Sequence, residues 1–181
     1  MSTEAQSLRN LQKKRRYRYA VGYVIEQEGK EPVERLVRDG TMSRFGVRQE
    51  WVPATDLEDL TRTEAEELLR EREWQFYNYD KIDGLTIPTK IFDTHILFSP
   101  DTAIGEAESA LEAAGFEVPE TSTLDFHTRN TIEEIDAQDF FPLYIERLET
   151  IVETQFGGRS SLLRRVQRQP HRNVDASDTS L

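Results

Sequence analysis

Apolar residues change their spacing several times along the chain, and each change predicts an element. Tyr17, Tyr19, Val21, Tyr23 and Ile25 alternate with Arg18, Ala20, Gly22 and Glu26, a period of two that predicts a strand. Gly29 falls in a polar turn. Pro32 to Asp39 is expected to return as a second strand, although Val33, Leu36 and Val37 also fit one helical turn. Phe45, Val47 and Trp51 alternate again and predict a third. Trp74 to Tyr79 and Leu85 to Phe98 read as two more strands joined through Asp83-Gly84, a favourable hairpin dipeptide, with Pro88 placing a bulge or an edge early in the second.

Other segments carry helical signals. Thr61 with Glu64, and Thr63 with Glu66, have capping-box spacing, and Ala65, Leu68 and Leu69 give the following helix one apolar stripe ending near Glu73. Ser99 can cap the next helix, Pro100 suits its first position and Gly115 its left-handed end. Between them Ala103, Ala107, Ala110, Leu111 and Ala114 recur at helical spacing, and their small size implies close packing. Phe116 to Val118 adds a short expected strand. Thr131 and Glu134 are expected to open a capped turn. A helix from about Pro142 to Thr154 buries Ile145, Leu148 and Val152 and stops at Gly157-Gly158. Leu162, Leu163 and Val166 fit one short amphipathic turn, and beyond Pro170 nothing would hold the chain. The expected architecture is α+β: an antiparallel sheet of about five strands with three packed helices. It divides into a basic arm over residues 1–16, a body over 17–158 and a basic, polar tail over 159–181.

Charge changes this picture from a fold to a setting. The 181 residues carry 34 Asp and Glu against 23 Lys and Arg, a formal net charge of -11. The basic residues are eighteen Arg and only five Lys. Excess carboxylate with scarce Lys suits a protein built for molar salt, where the Debye length shrinks to about 3 Å and an acidic surface no longer repels itself. Placement is uneven: residues 1–18 carry a net +5, residues 19–158 a net -19 and residues 159–181 a net +3. There is no cysteine, which excludes disulfides and thiolate metal sites, and no apolar run of membrane-spanning length. No signal-peptide pattern follows the basic N-terminus. A soluble protein of a halophile's cytoplasm, or of a virion assembled there, is expected.

Candidate chemistry is thin. Asp93 and His95, and Asp125 and His127, share an Asp-x-His spacing that would put a carboxylate and an imidazole on one face of a strand. Two such pairs brought together could hold a divalent metal, but the spacing arises readily by chance in so acidic a chain. No dinucleotide or phosphate-binding glycine loop, no His-Glu-x-x-His and no Gly-x-Ser-x-Gly is present. The sequence therefore implies neither a metal nor a cofactor, and no catalytic residue.

The basic ends are the remaining candidates. Lys13, Lys14, Arg15, Arg16 and Arg18, with Arg159, Arg164, Arg165 and Arg168, are read as contact residues for a partner or a nucleic acid. Phosphate contacts weaken steeply as salt rises, and an acidic body repels a polyanion. Opposite charges on arm and body suit docking onto identical or different subunits. The leading expectation is a non-enzymatic assembly subunit of a halophilic complex. Its most concrete form is a virion component: a capsid-associated, head–tail neck or tail-completion protein of a tailed virus. A nucleic-acid-associated protein and a carboxylate- or metal-dependent enzyme stand as the alternatives.

Overall fold

The structure is a computed structural model and describes residues 3–29, 33–34, 42–52 and 57–170. Among them seven α-helices surround one core, and the sheet is small. The helices are α1 (Thr3–Glu28), α2 (Arg62–Leu69), α3 (Thr86–Leu97), α4 (Pro100–Ala113), α5 (Phe126–Glu134), α6 (Ala137–Phe156) and α7 (Ser160–Gln167). Strands β1 (Val33–Glu34), β2 (Met42–Arg44) and β3 (Val47–Arg48) pair antiparallel in the order β1-β2-β3. The expected α+β body with about five strands is overturned: this is a helical protein with one short three-stranded ribbon.

The centre of the fold explains the largest error. Helix α3 is buried at every position from Ile87 to Leu97. It packs between α1, α4 and α6, so it has no polar face to reveal a helical period. Pro88 does not mark a strand edge. It is the third residue of α3, where a missing N–H costs nothing because the first-turn donors have no intrahelical partner. Segment 74–79 is also not a strand. Helix α2 runs on through a π-helical turn over Arg70–Gln75, and the wider turn brings both Glu73 and Trp74 inside.

Residues 17–25 form no strand either, because α1 is continuous from Thr3 to Glu28. Its burial follows a helical period, with Ala20, Val21, Val24 and Ile25 inside and Tyr17 packed against the core. Gly29, at φ 80°, ends it as a left-handed stop, its N–H donating to the carbonyl of Ile25 at 3.1 Å. The boundary drawn between arm and body at residue 16 falls inside this helix.

Of the second expected strand, Val33–Glu34 is β1 and the rest lies outside the described residues, as does everything after Pro170. The third resolves into a hairpin. Phe45 and Gly46 turn between β2 and β3 with φ of 55° and 82°, and a Cβ on Gly46 would come within 3.0 Å of the Ile96 side chain. Residues 116–118 pair with no strand.

The capped helices match their signals better. Thr61 and Glu64 form a reciprocal capping box on α2, and Ser99 accepts from the Thr102 N–H at 3.0 Å on α4. Gly157 closes α6 in the left-handed conformation. Helix α6 begins five residues before Pro142, and Thr131 and Glu134 lie in the last turns of α5, whose cap is Asp125.

Candidate functional site

Two places concentrate charge: a buried junction around α3 and the exposed face of α1. The junction forms because α3 carries Lys90, Asp93 and His95 in an otherwise apolar core, and each must find a partner. Residues two apart on a helix point to opposite sides, so Asp93 and His95 do not share a face.

Asp93 turns toward α1 and α7. Its Oδ1 accepts from Arg165 Nη2 at 2.8 Å and Nε at 3.2 Å, and the same guanidinium donates from Nη1 to Glu28 at 2.6 Å. Lys90 Nζ donates to the Arg165 carbonyl at 2.9 Å and stands 3.5 Å from Asp93 Oδ2. Burial pushes the Lys90 ammonium toward its neutral form, against the pull of Asp93. Burial also opposes the charge on Arg165, but Asp93 and Glu28 outweigh it and raise its pKa above the usual guanidinium range. Helices α1, α3 and α7 are thus tied together by charges shielded from salt.

His95 turns the other way. Its Nε2 lies 2.7 Å from Glu73, and its Nδ1 3.3 Å from the Tyr79 hydroxyl. Burial raises the Tyr79 pKa well above that of free tyrosine, so the phenol keeps its proton beside the imidazole. Trp74, Tyr79 and Phe92 pack into one cluster beside it, with ring centroids 5.1 to 5.3 Å apart.

The second Asp-x-His pair is used locally. Asp125 accepts from the Thr128 N–H at 2.8 Å as the cap of α5, and His127 Nε2 lies 2.8 Å from the Glu117 carbonyl. No group of three or more metal-ligating side chains occurs among the described residues. A further buried carboxylate, Glu108, accepts from the N–H groups of Thr121 and Ser122 at 3.0 and 2.8 Å and fixes the loop after α4.

The basic residues divide into paired and open ones. Arg165 is inside the junction. Arg168 donates to Gln27 at 3.2 Å, and its carbonyl accepts from the Tyr23 hydroxyl at 3.0 Å. Lys13 reaches Asp80 at 3.4 Å, and Arg16 pairs with Asp83. Lys14, Arg15, Arg18, Arg159 and Arg164 are exposed. Arg165 and Arg168 therefore meet the C-terminal end of α1, not its basic half. Beside that half lies a groove of about 520 Å³ in which Lys13, Lys14 and Arg18 face Glu66, Glu67 and Asp80. Carboxylates among the cations make it a poor track for a phosphate backbone.

Sequence pattern alone does not single out Glu28, Glu73, Lys90, Tyr79 and Glu108. One signal was available: a Lys and an Asp inside the apolar run Thr86–Leu97 have to be paired if that run is core.

With this geometry in place, the fold is found to be similar to that of SagA of Brucella abortus. The match has a TM-score of 0.63 at 18% identity and covers 85% of this chain and 92% of that one. At this identity the likeness is one of fold. No protein-family model matches the sequence, and no curated protein matches it.

Proposed function

We propose that this protein is a non-enzymatic assembly subunit adapted to high salt, with the first half of α1 as its contact element. One observation carries the reading: between Gln6 and Arg15 every residue of a formed helix is exposed, including Leu8 and Leu11. An isolated helix of this length is marginal in water, so a helical stretch this exposed is useful chiefly as something to be gripped. Its cations suit the net -19 of residues 19–158. A virion built in a saline cytoplasm is one assembly of this kind. Mass by light scattering in about 2 M salt, where the Debye length is under about 3 Å, tests the reading. A defined multiple of 21.0 kDa that falls when residues 1–16 are removed supports it, and a monomer in both cases refutes homo-oligomeric assembly.

A second reading, acid–base chemistry on a carboxylate, is favoured by Glu28. Of the two carboxylates that Arg165 holds, Glu28 is the one that reaches solvent, with 8% of its side chain exposed against 1% for Asp93. A carboxylate fixed from behind by a guanidinium, with a narrow opening to solvent in front, has the form of a general base or nucleophile. A hydrolytic activity lost in Glu28→Gln, with the fold intact by circular dichroism, would establish this reading. A panel of ester, peptide and glycoside substrates left untouched by the unaltered protein would remove it.

A further inference from the structure

We infer that the first half of α1 docks into a groove at the α5–α6 junction of a second copy of this chain, head to tail. This rests on the assembly reading and names its receiving surface.

The helix supplies half of the argument. Leu8, Leu11 and Arg15 stand at i, i+3 and i+7 and share one face. At about 100° per residue, Leu8 lies roughly 160° round the helix from buried Val24, so this face points away from its own core. Leu8 is 57% and Leu11 50% exposed. Helix α1 packs on α3 and on the turn at 79–81, and among the described residues neither leucine joins the core or the apolar side chains packed against it. Lys14 and Arg18, which also line the groove beside Glu66 and Glu67, border this face, and both are exposed.

The groove supplies the other half. Where α4 ends and α5 gives way to α6, a depression of about 600 Å³ opens between Phe116, Ile135 and Leu143. Glu134, Asp136 and Asp139 line it too, and all three are exposed. An apolar floor with an acidic rim is the complement of two leucines flanked by Lys and Arg. Molar salt strengthens the apolar contact and weakens the ionic one, so the leucines supply attachment and the charges supply register. Helix and groove are different surfaces, so the contact is heterologous, and repeating it closes a ring or extends a filament.

Two variants test the inference. Leu8→Glu/Leu11→Glu spoils the helix and keeps the groove; Glu134→Lys/Asp136→Lys/Asp139→Lys spoils the groove and keeps the helix. The altered residues are all exposed, and circular dichroism checks each fold. Each variant alone is expected to fall to the 21.0 kDa monomer in about 2 M salt. Mixed together they are expected to form a one-to-one dimer and nothing larger, because one intact helix and one intact groove remain. If the groove variant keeps the mass of the unaltered protein while the helix variant loses it, the groove is wrong and the assembly reading stands. If the unaltered protein is itself a monomer, both fall.

Discussion

The two halves of α1 have the same backbone and opposite surroundings. From Gln6 to Arg15 every side chain faces solvent; from Ala20 to Ile25 the helix buries Ala20, Val21, Val24 and Ile25. The cations also differ in kind. Those at 13–18 meet water or exposed carboxylates, while the charge facing the other end, at Glu28, comes from Arg165 and is enclosed. Salt separates the two. It screens the first group within a few ångströms and hardly reaches the second, so the same protein can hold its fold by charge and choose its neighbours by charge without the two interfering. Stability should therefore belong to the inner half and association to the outer half.

The largest expected effect is alkaline unfolding of the body. Burial raises the pKa values of Tyr17, Tyr23, Tyr79 and Tyr144 above that of free tyrosine. A raised folded-state pKa means a contribution fully present below the unfolded value, near pH 10, and lost as pH rises through the folded one. Ultraviolet tyrosinate absorbance should show these four phenols ionising only together with loss of helical circular dichroism, at a pH above about 10. Deleting residues 1–12 should leave that midpoint in place. Smooth ionisation of all the tyrosines before any loss of helix would count against the enclosed half.

Next in size is Arg165→Ala. It leaves Asp93 and Glu28 with buried, uncompensated charge and should cost about 3–5 kcal/mol in urea unfolding at fixed salt. In a Glu28→Gln/Asp93→Asn background the same change should cost markedly less, because the carboxylates that need Arg165 are gone. Equal costs in both backgrounds would mean that the guanidinium acts by packing alone. Val24→Ala, in the middle of the enclosed half, should cost roughly 2 kcal/mol through the cavity it leaves.

What could be read from sequence follows the same division between covered and uncovered. The capped, one-sided helices announced themselves: Thr61 with Glu64, Ser99 with Pro100, and Gly157 all stand where their chemistry put them, because a cap is local and a solvent face restores the helical period. Helix α3 did not, since a helix covered on all sides has no period and its Ile, Phe and Thr fit a strand as well. In α1 the alternation of Tyr17, Tyr19 and Tyr23 with Val21 and Ile25 concealed a second pattern, Tyr17, Val21, Val24 and Glu28, that Gly29 terminates. The ionic junction was illegible for a different reason. Its partners come from residues 28, 90, 93 and 165, and only packing brings them together. The basic residues at 13–18 were visible because five of six adjacent positions carry them. Arg165 was visible too but was assigned to the outside, as its charge alone suggests.

The smallest expected effect is the most selective. Leu8→Ala/Leu11→Ala removes two side chains that are half exposed, so the unfolding free energy of the dilute monomer should change by less than about 0.5 kcal/mol. Association adds stability only to the folded, assembled chain, and that addition grows with protein concentration. The melting temperature of the unaltered protein should therefore climb with concentration, while that of the variant stays level and meets it at the dilute end. The comparison is sharp because the two curves separate binding from folding within one experiment. A constant gap at every concentration would mean that the leucines stabilise their own molecule, and the outer half of α1 would then belong to the fold as fully as the inner.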